Sequence, residues 1–133
     1  GFYSSVNYMF DKLASMNLPV TTIAGVPAFI AAGAISGLHI VKQEEKLVVL
    51  PGIITAEELD SLLTSSHVVV IMKLSQCTSE IHRFMQINRQ HEFHYYENVG
   101  TINELHSTNY EDIIQKDYPY FSLMIIRPGK QLA

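Results

Sequence analysis

Two short segments place residues suited to ligand binding at the ends of predicted strands. The first is an apolar run over residues 67–73, typical of a strand buried on both faces, in which Met72 marks the strand end. The second follows a predicted strand over residues 93–97 and puts Gly100 in a loop where a ligand could approach the backbone closely. Open α/β sheets bind ligands outside the carboxyl ends of their strands. The two strand ends therefore predict one small-molecule site.

The usual signatures of hydrolytic, phosphoryl-transfer and zinc enzymes are missing from the sequence. His91 and His94 lie close together, but no third ligand follows nearby, so we interpret them as surface histidines at the start of a strand. Glu44 and Glu45 are interpreted as a solvated turn, because no other acid–base group converges on them. No metal site is predicted, and the catalytic residues stay unassigned.

Composition limits the classes of protein to consider. The chain has 133 residues, enough for one domain with a core, and a formal net charge of −4. No basic block appears, so nucleic acid is excluded as a partner. The single Cys77 cannot form an internal disulfide and is compatible with a cytoplasmic protein. The apolar residues 21–40 include Pro27 and three glycines, which favours strand, turn and helix over a membrane span.

Hydrophobic periodicity predicts strands that alternate with helices, and hence an α/β fold. We expect a mixed sheet with helices on both faces, in which residues 68–72 form a buried interior strand. Thr55 and Glu58 form a capping-box pattern that starts one helix. Other helices are predicted over residues 4–16, 28–35, 78–88 and 109–115, and strands over residues 20–23, 46–50, 68–72, 93–97 and 120–126.

An ordered set of short motifs extends over nearly the whole chain and resembles the tetrapyrrole methylases of corrin biosynthesis. Within that family, the Tyr-Ser-Ser opening and the Met72-Lys73 pair favour the branch that methylates C20 of precorrin-2 or cobalt-factor II. A sister tetrapyrrole methylase, diphthine synthase and a non-catalytic α/β ligand-binding module stay open as alternatives. The motifs are Tyr3-Ser4-Ser5, Ala24-Gly25-Val26-Pro27-Ala28-Phe29, Leu47-Val48-Val49-Leu50-Pro51-Gly52, Val70-Ile71-Met72-Lys73, Glu97-Asn98-Val99-Gly100-Thr101 and Tyr120-Phe121-Ser122-Leu123-Met124-Ile125-Ile126.

The resemblance implies an S-adenosyl-L-methionine-dependent methyltransferase of cobalamin biosynthesis that releases S-adenosyl-L-homocysteine. It also implies a tetrapyrrole substrate, a cytoplasmic location and a homodimer. The Tyr-Ser-Ser segment of the family follows a Gly-Asp-Pro loop, which this sequence lacks. We therefore expect residues 1–35 to be the tail of an N-terminal domain with a linker helix, and residues 36–133 to be the C-terminal domain of a class III methylase. Alone, residues 1–133 are expected to be inactive and to self-associate.

The resemblance further implies a set of cofactor-binding residues, although the sequence pattern alone gives several of them another interpretation. The pattern indicates that Met72 is a core methionine, whereas the resemblance implies that it contacts the adenosyl group. The pattern indicates that Gly100 is a turn glycine, whereas the resemblance implies that its loop approaches the adenine. Ser122 is interpreted either as a solvent-facing strand residue or as a cofactor contact. The complete set is Phe2, Ser4, Ser5, Pro27, Ala28, Met72, Gly100 and Ser122.

The remaining members of the set lie toward the N-terminus. Phe2 is either a frayed terminus or the residue after the cofactor loop. Ser4 and Ser5 either cap the first helix or contact the cofactor. Pro27 and Ala28 occupy positions where the family has a Thr-Ala or similar pair. Because proline removes a backbone donor and a hydroxyl, the implied role is weaker at Pro27.

Overall fold

The computed structural model describes residues 5–129. They form one five-stranded sheet with helices on both faces. The elements are α1 (Val6–Ser15), α2 (Ala28–Ser36), β1 (Lys46–Leu50), α3 (Ala56–Thr64), β2 (His67–Ile71), a 3₁₀ helix (Leu74–Gln76), α4 (Thr78–Ile87), β3 (Glu92–Glu97), β4 (Leu105–Ser107), α5 (Tyr110–Ile114) and β5 (Ser122–Arg127). The strand order is β1-β2-β5-β3-β4. The sheet is mixed, as predicted, because β1 and β2 are parallel while β5 runs antiparallel to both β2 and β3.

The predicted interior strand is confirmed, although β2 ends one residue earlier than expected. It lies between β1 and β5, with Val69 opposite both Val48 and Ile126. Residues 68–71 have no exposed surface. Met72 follows the strand, and its backbone N–H still donates to the Leu50 carbonyl at 2.8 Å. The corner after β2 is therefore tied to the end of β1.

Helices cover both faces of the sheet, which explains the uninterrupted apolar run in β2. Val69 and Ile71 point into the core beneath α3, α4 and α5, whereas Val68 and Val70 pack with Phe29 on α2. Successive side chains of a strand point to opposite faces, so a strand covered on both sides needs an apolar residue at every position. The prediction of helices on both faces is confirmed.

Local signals fix the ends of several helices. The Thr55 hydroxyl accepts from the Glu58 backbone N–H at 3.2 Å, which is the first half of the predicted capping box. The Ala56 N–H, in the first turn of α3, donates to the Glu80 carboxylate of α4 at 2.9 Å. α2 ends at Gly37, whose φ of 67° lies in the left-handed region that glycine adopts readily. These contacts hold α3 against α4 and set the length of α2.

The described segment before α2 makes few packing contacts. Every residue from Ser5 to Val26 is exposed, including the apolar side chains of α1. The prediction of a strand over residues 20–23 was wrong, since this segment pairs with no strand of the described sheet. A β-branched composition favours extended backbone, but a strand forms only where a neighbour satisfies its N–H and C=O groups.

Candidate functional site

A cleft of about 440 Å³ opens where the carboxyl ends of β2 and β3 meet the amino end of β5. β2 and β3 are both antiparallel to β5, so they point the same way, and Glu97 at the end of β3 pairs with Ser122 at the start of β5. The two strand ends that the sequence predicted to share a site therefore do share one. The lining residues are Ala28, Met72, Lys73, Asn98, Val99, Thr101, Tyr120, Phe121, Ser122 and Leu123.

The lining is mainly apolar with a few polar groups. Among the described residues that line the cleft, Lys73 carries the only formal charge. Tyr120 and Phe121 form one wall; they are 71% and 70% exposed, and their rings meet edge to face at 4.9 Å. Small-molecule sites are typically concave, largely apolar and roughly 300–1,000 Å³ in volume. Size and lining both suit a ligand such as a nucleoside-containing cofactor.

The corner formed by Met72 and Lys73 is rigidly placed. Lys73 has a φ of 56°, in the left-handed region that non-glycine residues rarely occupy. Its carbonyl lies against Gly52, where an added Cβ would come within 2.0 Å of the Lys73 oxygen. Leu74 follows, fully buried in the main core. The buried Leu74 and the bonded Met72 backbone thus anchor Lys73 on both sides.

The loop after β3 is held by its own hydrogen bonds. The Asn98 N–H donates to the Phe121 carbonyl at 2.9 Å, and the Thr101 hydroxyl donates to the Asn98 carbonyl at 2.8 Å. Gly100 has a φ of 82°, and its N–H donates to the Glu104 carboxylate at 2.7 Å. The loop therefore presents Val99 and Thr101 to the cleft in one defined conformation.

Ser122 begins β5 and is buried at the base of the cleft. Its hydroxyl donates to the Pro119 carbonyl at 2.6 Å. A serine hydroxyl has one donor and two acceptor lone pairs. Because the donor is already used, the Ser122 side chain can only accept a hydrogen bond from a ligand.

A polar cluster behind the cleft fixes the end of β3. The Tyr95 hydroxyl donates to the Glu97 carboxylate at 2.5 Å, and Lys116 Nζ lies 2.9 Å from the same carboxylate. Burial, followed by the hydrogen bond to Glu97, raises the pKa of Tyr95 far above its ordinary value, so this hydroxyl stays protonated. Glu97 directly precedes the cleft loop. The cluster thus holds the residue from which that loop departs.

The structure brings together part of the predicted site. Ala28, Met72 and Ser122 line the cleft, and Gly100 lies between two lining residues. Pro27 directly precedes Ala28 at the start of α2, half-buried. Ser5 occupies the N-cap position of α1, exposed and without a capping hydrogen bond from its side chain, and it does not line the cleft. Phe2 and Ser4 lie outside the described residues.

Several lining residues were not predicted as site residues. The sequence gives Lys73 no role beyond its motif, and it indicates Asn98, Val99 and Thr101 only as neighbours of Gly100. The sequence pattern predicts Tyr120 and Phe121 in the last strand, but β5 begins at Ser122. Two adjacent aromatic residues directly before a strand, beside Pro119, were the available signal, because a proline favours a loop.

Two features are absent from residues 5–129. This part of the chain has no group of three or more His, Cys, Asp or Glu side chains arranged to hold a metal ion. None of its helices is both long enough and apolar enough to cross a bilayer.

Comparison with known proteins assigns the family. The family model of the Tetrapyrrole (Corrin/Porphyrin) Methylases matches residues 1–113. The chain is also 30% identical over 128 residues to a precorrin-2 C(20)-methyltransferase from Sinorhizobium sp, a match that covers 96% of this chain and 51% of the relative. The chain belongs to the tetrapyrrole methylases. It spans about half the length of the curated relative that it matches.

Solved structures agree on the fold. A cobalt precorrin-4 methyltransferase superposes with a TM-score of 0.73 at 12% identity, over 95% of this chain and 59% of the other. A uroporphyrin-III C-methyltransferase from Thermus thermophilus, in complex with S-adenosylhomocysteine, gives 0.63 at 15% identity, over 95% and 60%. The putative cobalamin synthesis related protein CobF from Corynebacterium diphtheriae gives 0.64 at 13%, over 97% and 58%. The described domain therefore has the tetrapyrrole methylase fold.

Proposed function

We propose that the whole protein transfers a methyl group from S-adenosyl-L-methionine to C20 of precorrin-2 or cobalt-factor II. The observation that carries this proposal is the 30% identity to a precorrin-2 C(20)-methyltransferase over almost the entire chain. The cleft supports it independently, because it lies at the strand ends where α/β sheets bind ligands. On this proposal, residues 1–133 contribute only part of the cofactor site and are inactive alone.

The chain's residues suit a cofactor that carries its own reactive group. When bound, S-adenosyl-L-methionine supplies an electrophilic methyl on a sulfonium, so the protein chiefly binds and orients. We assign Met72 and Val99 to apolar contact with the adenosyl group, and Ser122 Oγ to accepting a hydrogen bond from it. The Asn98–Thr101 loop, with Gly100 at positive φ, would contribute backbone groups.

Orientation can supply a large part of the rate of such a transfer. Well-oriented intramolecular reactions gain about 7–11 kcal/mol over their bimolecular counterparts. The fixed corner at Lys73 and the internally bonded loop give the cleft the rigidity that orientation requires. The described lining residues include no acid–base pair, which is compatible with a nucleophilic substrate carbon.

Labelled-methyl transfer tests the reaction. The whole protein is incubated with methyl-labelled S-adenosyl-L-methionine and with precorrin-2, its cobalt form or later corrin intermediates. We expect label on precorrin-2 or cobalt-factor II, at C20 by NMR. Label only on a later intermediate would keep the family and discard the C20 assignment, whereas no label on any of them would refute methyl transfer to a corrin precursor.

Calorimetry of cofactor-site variants tests the assigned contacts. Met72→Ala removes most of a half-buried side chain from the cleft, and we expect S-adenosyl-L-homocysteine to bind the whole protein about tenfold more weakly. Ile87→Ala is a control, since Ile87 is 71% exposed at the end of α4, outside the cleft. Equal affinities for Met72→Ala and the wild type would remove Met72 from the site.

We also propose that the protein is a homodimer and that residues 1–133 self-associate. α1 exposes 61% of Met9, 43% of Phe10 and 36% of Leu13, and the outer side of α2 exposes Ile30 and Ile35. Contiguous apolar patches of more than a few hundred Å² are uncommon on monomers. Light scattering at micromolar concentration is the measurement. A monomer of 15.0 kDa for residues 1–133 would contradict the proposal for this segment.

A further inference from the structure

We propose that Lys73 holds a carboxylate of the bound tetrapyrrole at the mouth of the cleft and so selects the substrate. This inference rests on the proposed function. Lys73 carries the only formal charge among the described residues that line the cleft, and it is exposed. The other described lining residues are apolar or neutral, so among them only Lys73 offers a bound anion a cationic partner.

The Lys73 ammonium is not engaged elsewhere in the described protein. Within residues 5–129, Lys73 forms neither an ion pair nor a side-chain hydrogen bond, and the other cations without an ion pair, Lys12, Lys42 and Lys46, lie outside the cleft. An ammonium has three donors and no acceptor, so a carboxylate is a natural partner for it. Lys73 can therefore pair with a ligand without breaking an existing contact.

The backbone of Lys73 is held by close packing and by hydrogen bonds. Its carbonyl is packed so closely on Gly52 that no side chain fits between them, and the carbonyl accepts from the Gln76 N–H at 3.1 Å. Leu74 is fully buried, and the Met72 N–H is bonded to Leu50. Because the stem starts from a fixed point among the lining residues, the ammonium stays within one side-chain length of the cleft.

The charge of the whole chain gives a local cation added importance. Residues 1–133 carry a formal net charge of −4, so this part of the protein attracts a polyanionic ligand only through local cations. Corrin precursors carry several carboxylates around an apolar macrocycle. The exposed rings of Tyr120 and Phe121 offer an apolar surface for such a macrocycle, and Lys73 in the same cleft offers the opposite charge.

Two ligands could supply the carboxylate, the tetrapyrrole or the amino-acid end of the cofactor, and Lys73→Met separates them. Methionine keeps much of the side-chain length and removes the charge. We expect the KM for the tetrapyrrole to rise about tenfold with little change in kcat, because the lost contact is remote from the reacting carbon. We expect the Kd for S-adenosyl-L-homocysteine, measured by calorimetry on the whole protein, to stay within twofold of the wild type.

Three control measurements make the test decisive. Lys46→Met removes an exposed lysine at the first residue of β1, the strand end away from the cleft, and should leave both constants unchanged. Lys73→Arg keeps the charge and should recover most of the lost affinity. In the wild type, the KM for the tetrapyrrole should rise with salt, and this dependence should be weaker in Lys73→Met.

The possible outcomes are distinct. A weaker Kd for S-adenosyl-L-homocysteine, with an unchanged KM for the tetrapyrrole, would show that Lys73 holds the cofactor's carboxylate and would overturn the proposal. Unchanged constants for both ligands would overturn it as well. If the wild type transfers no methyl to any tetrapyrrole, the proposed function fails instead, a result that is seen before any Lys73 variant is made.

Discussion

Replacing Gly52 with alanine is expected to destabilise the protein and deform the cleft at the same time. Gly52 is buried in the loop after β1, and an ideal Cβ built on it lies 2.0 Å from the Lys73 carbonyl oxygen and 2.9 Å from the carbonyl carbon. Ordinary contacts begin at 3.4 Å, so the two loops would have to separate by about 1.4 Å. Both partners are backbone, and neither can avoid the clash by changing rotamer.

The expected cost follows from two contributions. Overpacking a close-fitting site typically destabilises by about 1–3 kcal/mol. Separation of the two loops also strains the hydrogen bond from the Met72 N–H to the Leu50 carbonyl. A typical intramolecular hydrogen bond contributes about 1 kcal/mol net to stability. We therefore expect the free energy of unfolding to fall by about 3 kcal/mol.

Urea unfolding with an unchanged m-value measures this loss, and Gly25→Ala is the matched control. A Cβ on Gly25 has no neighbour within 4 Å, and the residue does not have a positive φ, so alanine there should be neutral or stabilising by up to about 1 kcal/mol. Equal midpoints for Gly52→Ala and the wild type would show that the two loops separate freely. The description of Lys73 as fixed in place would then be wrong.

Four other changes have expected outcomes of their own. Phe84→Ala empties a fully buried site between α4 and the sheet and should cost about 3–5 kcal/mol in urea unfolding; a loss below about 1 kcal/mol would place Phe84 outside the core. Gly100→Ala forces a Cβ onto a φ of 82° and should cost about 1 kcal/mol and weaken S-adenosyl-L-homocysteine binding by calorimetry; an unchanged affinity would separate this loop from the site. Burial raises the pKa of the Cys77 thiol to about 11, so iodoacetamide at pH 8 should label it only on unfolding; rapid labelling of native protein would contradict its buried position. The hydrogen bond from Arg127 holds the pKa of Glu45 below its ordinary value of 4.5, so the pair stabilises the fold above that pH and this stabilisation is lost as pH falls through the lowered pKa. Glu45→Gln should therefore make the urea midpoint decline less steeply below about pH 4.5. A decline as steep as that of the wild type would show that other groups cause it.

The architecture was predictable from the sequence because one signal dominates it. The run Val68-Val69-Val70-Ile71 is apolar on both sides of the strand, the pattern typical of a strand covered on both faces. The capping residue Thr55 likewise marks the start of α3, and its side chain accepts the expected backbone hydrogen bond. Asn109, the first residue of the helix predicted over residues 109–115, accepts the equivalent bond at the start of α5. These signals are local, and local chemistry is what a single sequence records.

Segments whose structure depends on a distant partner were predicted less well. Residues 20–23 have the composition of a strand but no neighbouring strand among the described residues. β4 is a three-residue strand at the edge of the sheet and exists through its pairing with β3, for example Tyr96 with His106. Its sequence, Leu105-His106-Ser107, carries no propensity strong enough to predict it.

The floor and the rim of the cleft differ in how far the fold determines them, and this difference bears on substrate specificity. Its floor consists of strand ends and backbone, such as the corner after β2 and the loop through Gly100, which fold geometry defines and which any member with this fold could build. Its rim consists of side chains that the fold does not require, namely Lys73, Tyr120 and Phe121, all of them exposed. Residues that the fold does not require can differ between enzymes that act on different substrates. Discrimination between corrin intermediates is therefore expected to change first with substitutions at this rim, whereas substitutions in the floor should weaken cofactor binding for every substrate alike.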